Sequence, residues 1–223
     1  MHEYRLGIDE LEADVGTVSG GTSILVAGPP LSGKRAIIYT LAEQGLKDGE
    51  GVIIIPTMET GESVLSAFGR KNIKTDDLTI IDCMSRPLGL DLDEETRGIK
   101  PVNGPMDLTG MGVRAGRLME ERKGRPVRLL IDSLSTLLMY SSLQAVFRFV
   151  HLLNGRIRAT GGLGIGVIDE GMHDDRTIAA FRQLYEAAIE IKETESSCLV
   201  RAVGLTPRPT SWHEIGLKRM ANE

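Results

Sequence analysis

An apolar pentapeptide, Ser23–Ala27, runs directly into Gly28-Pro29-Pro30-Leu31-Ser32-Gly33-Lys34-Arg35, and a helical pattern begins at Lys34. No other stretch restricts the fold as much. The pentapeptide is short and rich in branched apolar residues, with Gly20-Gly21 before it and Gly28 after it, which reads as a buried strand. Over Lys34–Lys47, Ile37, Ile38, Leu41 and Leu46 recur at near-helical spacing, and Gly49 supplies a stop. The octapeptide between them fits G-x-x-x-x-G-K, and a strand before and a helix after are the context that gives this pattern meaning. Successive backbone N–H groups of such a loop make a concave nest for phosphate. The first helical turn adds its unpaired N–H groups and its dipole, and the lysine reaches the outer phosphates. Gly28, Pro29, Pro30, Leu31, Ser32, Gly33, Lys34 and Arg35 are therefore the candidate phosphate-binding residues. The bland alternative is a Gly/Pro turn joining a strand to a helix.

Elsewhere, short apolar runs alternate with amphipathic stretches. Strands are predicted at Gly51–Pro56, Leu78–Cys83, Val127–Asp132 and Gly164–Asp169, and helices at Ser63–Arg70, Met106–Arg122, Leu143–Ala159 and Thr177–Glu186. Uninterrupted Val/Ile/Leu strands are buried on both faces, as in parallel sheets covered by helices. The alternation predicts an α/β three-layer fold with a mostly parallel central sheet. Three closing strands, Ala187–Lys192, Ser197–Leu205 and Ser211–Leu217, follow one another without a helix and predict an antiparallel C-terminal edge. The 223 residues are read as a single domain over 1–223, with residues 85–105 as an irregular loop or insertion holding a DLDEE acid cluster.

Two carboxylates sit where strands should end beside the phosphate loop. Asp132 closes the run Val127–Asp132 and is followed by small hydroxyl residues; there it would hold Mg²⁺ through water. Glu59 follows the strand Gly51–Pro56, where it can orient or deprotonate an attacking water; alternatively it is a solvated loop acid. The residue after Lys34 is the departure. A Ser or Thr hydroxyl at that position coordinates Mg²⁺, whereas the Arg35 guanidinium has no lone pair. Either Arg35 takes over part of the metal's role in a site of poor turnover, or it points outward and water completes the metal shell.

The order of GPPLSGKR, VIIIPTMET, LLIDSLSTLL and the terminal strands resembles the RecA/KaiC-like branch of P-loop ATPases, in particular archaeal members of haloarchaeal type. The likeness covers roughly residues 5–217. It implies a RecA-like fold, ATP or ADP with Mg²⁺ as cofactors, and assembly into a homo-oligomer in which a neighbour supplies a basic group from the terminal strands, the region of Arg201 and Arg208. It assigns Lys34 to the P-loop lysine, Asp132 to the Walker-B carboxylate and Glu59 to the catalytic acid. Relatives often carry two adjacent glutamates at that last place, where this chain has Glu59-Thr60. The strand that follows Walker B ends in Asp169-Glu170, which would repel phosphate unless a cation intervenes.

Composition narrows the role. With 26 basic and 31 acidic side chains the net charge is -5, and only 4 % of residues are aromatic. Nucleic-acid binding, which draws on basic and aromatic surfaces, is disfavoured. No apolar run reaches the roughly 18–20 residues that span a bilayer, and no signal-peptide pattern opens the chain; a cytoplasmic location is expected. The functional expectation is an ATP-binding protein of slow or degenerate turnover with a regulatory role. The alternatives are a nucleotide-gated scaffold without turnover, acting on a protein partner, and, less favoured, a recombination mediator.

Overall fold

The computed structural model describes residues 2–90, 98–194 and 197–216. In chain order its elements are β1 (Glu3–Tyr4), α1 (Asp9–Val15), β2 (Val18–Ser19), β3 (Ser23–Gly28), α2 (Lys34–Lys47), β4 (Gly51–Pro56), α3 (Gly61–Arg70), β5 (Leu78–Asp82) and β6 (Ile99–Pro101). They continue with α4 (Leu108–Glu121), β7 (Val127–Asp132), α5 (Leu134–Tyr140), α6 (Leu143–Thr160), β8 (Leu163–Asp169), α7 (Asp175–Arg182), β9 (Ala187–Glu193), β10 (Cys198–Val203) and β11 (His213–Ile215).

Nine strands form one sheet in the order β11-β10-β9-β3-β8-β7-β4-β5-β6, and β1 and β2 form a separate antiparallel pair. The seven strands from β9 to β6 are mutually parallel, whereas β10 and β11 run antiparallel at one edge. Side chains of successive strand residues point to opposite faces, and here both faces are covered. Ile24, Val26, Val52 and Ile54 enter one core with Ile37, Leu41 and Phe68 of α2 and α3. Leu25, Ala27, Ile53 and Ile55 enter the other with residues of α4, α5, α6 and α7, among them Met111, Leu137, Phe149 and Phe181. This is the expected α/β three-layer architecture.

The structure corrects the element map in several places. The stretch 85–105 is not uniformly irregular: β6 pairs in parallel with β5, through Ile80↔Ile99 and Asp82↔Pro101, and forms the far edge of the sheet. Three residues of Ile-Lys-Pro are too short for periodicity to reveal. The DLDEE cluster lies outside the described residues. The helix expected over Thr177–Glu186 spans Asp175–Arg182 instead, with Asp174 capping it by accepting a bond from the Thr177 N–H at 2.7 Å. Its last residues turn into β9. The final strand is shorter than Ser211–Leu217, and Leu217 is not described.

One charged pair is buried at the base of the sheet. Arg128 of β7 and Glu50 have fully inaccessible side chains, joined by two bonds of 2.8 Å from Nε and Nη2. The guanidinium also donates to the carbonyls of Leu41 and, at 2.9 Å, Arg5, and lies 5.8 Å from the centre of the Tyr4 ring. The Tyr4 hydroxyl donates to the Gly161 carbonyl at 3.0 Å and accepts from the Val127 N–H at 3.2 Å. Space for the pair exists because position 45 is glycine: a Cβ there would stand 2.9 Å from Glu50 Oε2 and 3.0 Å from Arg128 Nε. Replacing one member leaves a buried charge without its partner, a loss of about 3–5 kcal/mol. Arg128→Met is therefore expected to lower unfolding free energy by about that amount, and Arg128→Met with Glu50→Leu to recover most of it. Urea titrations of both variants check this; a loss below about 1 kcal/mol for the single variant would remove the pair from the structural core.

Candidate phosphate-binding site

Every candidate residue lies at the C-terminal ends of the central parallel strands, where crevices form in open α/β sheets. The loop after β3 turns back sharply. A Cβ at Gly28 would stand 2.8 Å from Ile191 Cβ and 3.1 Å from Ser32 Oγ, so glycine is required there. Gly33, the N-terminal cap of α2, is left-handed at φ 77°. Leu31 also has positive φ, at 64°, and its side chain is 99 % exposed. A leucine in that region is disfavoured and persists where the surrounding loop over-determines it.

Lys34 occupies the centre. It is only 6 % exposed, and its ammonium donates to the Gly28 carbonyl at 3.0 Å, to the Pro29 carbonyl and to Ser32 Oγ at 3.2 Å. It also pairs with Asp169 Oδ1 at 2.9 Å. β8 lies beside β3 with Gly28↔Asp169 in register, so the strand pairing itself delivers this carboxylate. Glu170, next along, pairs with Arg182 at 3.0 Å. Cations thus stand against both acids of the Asp169-Glu170 pair that the sequence marks as hostile to phosphate.

Arg35 turns toward Glu59. The two are ion-paired, and the guanidinium lies 5.6 Å from the centre of the Tyr39 ring, one helical turn further along α2. Glu59 also accepts from the Tyr39 hydroxyl at 3.3 Å and from Ser63 Oγ at 3.0 Å. Burial pushes the Tyr39 phenol up to about 12, with the nearby Glu59 charge acting in the same direction. Asp132 ends β7 opposite Pro56 of β4. Burial, then the negative charges of Glu59 and Asp169, push its carboxyl up to about 6, against the opposing pull of Arg35 and Lys34. The strand ends are laced together below it. Thr57 Oγ1 donates to the Asp132 carbonyl at 2.9 Å and accepts from the Ser133 N–H at 2.7 Å, while Ser135 Oγ accepts from the Asp169 N–H at 2.8 Å.

The sequence-predicted residues Lys34, Arg35, Glu59 and Asp132 therefore come together around one loop. Tyr39, Ser63, Thr57, Ser135 and the positive use of Asp169 escaped the sequence reading. One of them carried a signal, since Arg35 and Tyr39 are four residues apart within α2, the spacing that places side chains side by side across a helical turn. Arg201, considered above as a group donated to a neighbour, is engaged within its own chain. It pairs with Glu190 and lies 4.5 Å from the centre of the Trp212 ring.

The donor set can be tested against its expected occupants. The loop's N–H groups, a buried ammonium and a guanidinium suit a polyphosphate. Mg²⁺ fits less well. The hydroxyl place is taken by a cation already among the carboxylates, and among the described residues no group of three or more His, Cys, Asp or Glu side chains is arranged to hold a metal. Among the described residues, too, no helix is long and apolar enough to cross a membrane.

Comparison with known proteins agrees with this architecture. An uncharacterized protein from Pyrococcus horikoshii, solved in complex with an unknown peptide, superposes with a TM-score of 0.70 at 13 % identity, covering 96 % of this chain and 100 % of that one. A KaiC-like protein from P. horikoshii OT3 gives 0.63 at 13 % identity, covering 96 % and 91 %. The flagellar accessory protein FlaH from Methanocaldococcus jannaschii gives 0.53 at 16 % identity, covering 90 % and 85 %. Identities this low show a shared RecA-like fold. No curated protein matches the chain. A family model described as a family of unknown function, DUF7504, matches residues 21–191, three-quarters of the sequence. On that match, the chain belongs to the DUF7504 family.

Proposed function

We propose that the chain binds a nucleoside triphosphate, ATP by preference, on the 28–35 loop, turns it over slowly, and serves as a nucleotide-responsive regulator. The observation that carries this reading is Lys34, an ammonium held in a loop of P-loop shape by carbonyls and one carboxylate. Incoming phosphate oxygens are stronger partners for it than neutral carbonyls. Arg35 is the second cation at the mouth, and phosphate would compete with Glu59 for its guanidinium. While Arg35, Tyr39 and Ser63 hold Glu59, this carboxylate is poorly placed to orient water, which supports slow turnover. The same clasp favours the second reading, a nucleotide-gated scaffold without turnover. Self-association, a protein partner, a cytoplasmic location and a haloarchaeal affiliation belong to the proposal; the peptide carried by the P. horikoshii neighbour is consistent with a protein partner.

Three measurements test the site. Lys34→Ala removes a charge-assisted contact worth about 1.5–3 kcal/mol, so calorimetry is expected to show ATP affinity reduced at least tenfold. Unchanged affinity would reduce the loop to a turn. Arg35→Thr supplies a hydroxyl and frees Glu59; both Mg²⁺ dependence of binding and turnover are expected to rise. Brisk, strictly Mg²⁺-dependent hydrolysis by the unaltered chain, insensitive to Arg35→Thr, would replace the slow reading with an ordinary ATPase. Absence of turnover in both proteins would favour the scaffold.

The third measurement concerns pH. The Asp132 carboxyl, raised to about 6, is neutral below that value and charged above it. Its ionisation puts another negative charge beside the phosphate site as pH rises from 5 to 7. Affinity for ATP in the absence of Mg²⁺ is expected to fall more steeply over that range in the unaltered chain than in Asp132→Asn. Titration of the nucleotide itself is common to both proteins and cancels in the ratio. Parallel pH profiles would place Asp132 outside the phosphate field.

A further inference from the structure

The opposite layer of the fold carries a groove that the phosphate site does not use. It runs between α4 and α6, has a volume of about 550 Å³, and has Phe149 and Leu153 among the residues that line it. Apolar side chains along it face solvent: Met106 is 70 % exposed, Val113 57 % and Leu152 67 %. A concavity with exposed apolar side chains along it can receive the apolar face of a helical segment.

Charge says what kind of partner would fit. The chain carries -5 overall, yet the only ionisable side chains lining the groove are Arg148 and Arg156. The whole of α6 has three arginines and no carboxylate, and the acids within α4 are confined to its last two residues, Glu120 and Glu121. Arg156 is held in place by donating to the Gly112 carbonyl at 2.7 Å, in space left open by Gly116. Among the described residues no carboxylate lies within ion-pair distance of Arg148 or Arg156. The groove is thus apolar at its centre and positive along its wall, in a molecule of the opposite sign.

We propose that this groove docks a short amphipathic segment of a partner protein, with apolar side chains on one face and carboxylates flanking them. α4 has 14 residues, roughly 21 Å at 1.5 Å per residue, which matches about four turns of a helix laid along it. The segment's apolar anchors pack against Met106, Val113 and Leu152, and the flanking carboxylates meet Arg148 and Arg156. The argument is independent of whether the loop at Lys34 binds nucleotide.

A displayed library of 14-residue peptides, selected on the full chain and counter-selected on Leu152→Glu, tests it. Enriched peptides are expected to combine spaced apolar residues with an excess of Asp and Glu. Synthesised, they are expected to lose at least tenfold in affinity on Arg148→Glu and on Gly112→Leu. A Cβ at Gly112 meets Phe149 only at an ordinary 3.8 Å, so leucine there plugs the groove. Arg148 and Leu152 are exposed, so their variants keep the test open should Gly112→Leu fail to fold, as checked by circular dichroism. No enrichment, basic enriched sequences, or equal affinity for the variants would overturn the proposal. So would sedimentation showing a dimer that Leu152→Glu dissociates, since the occupant would then be a second copy.

Discussion

A parallel strand flanked by parallel neighbours has no face to offer to water, and this single constraint organises the molecule. It obliges each of β3, β4, β7 and β8 to be apolar on alternate residues in both directions, and obliges helices to return on both sides. The returning connections leave the carboxyl ends of the four strands side by side. Gly28, Pro56, Asp132 and Asp169 then stand in one row because pairing register puts them there, Gly28 opposite Asp169 and Pro56 opposite Asp132. The geometry of the 28–35 loop is thus inherited from the sheet, and the sheet in turn from the need to hide its strands.

Charge at that row is compensated locally, though not in full. Lys34 and Arg35 face Asp169, Glu59 and Asp132, two cations against three carboxylates, and the carboxyl left with least compensation is Asp132. In many proteins such an excess acid would be neutralised by a divalent ion. Here the guanidinium of Arg35, ion-paired with Glu59, supplies a countercharge on the protein's own side chain. A countercharge on a flexible arm can be exchanged between partners without leaving the site.

Much of this was legible in the residues. The strand–loop–helix over 23–47 and the runs ending at Pro56, Asp132 and Asp169 have lengths and periods that admit few alternatives, and they recovered the parallel sheet. What escaped did so for identifiable reasons. β6 and the β1/β2 pair are too short to carry a period, and are defined only by the strands they meet. Arg128 sits inside an apolar strand, and sequence alone gives no sign that Glu50, 78 residues away in the chain, awaits it. The clasp on Glu59 required knowing that α2 and the start of α3 converge. Asp169 looks like a repulsive charge in linear order, which hides its registration with the loop that holds Lys34.

The buried pair beneath the sheet also bears on where the folding unit begins. The family model starts at residue 21, but the guanidinium of Arg128 donates one of its bonds to the Arg5 carbonyl, and Tyr4 covers it while bridging Val127 to Gly161. The other limit of the match, at 191, excludes β10 and β11, whose Val200, Ala202 and Ile215 belong to the same core as the P-loop strand. The span matched by the family model is therefore smaller than the segment that packs around one sheet. A fragment trimmed to the matched span would lose that carbonyl, the aromatic lid and the apolar edge, and would expose the ionic base of its own sheet to water.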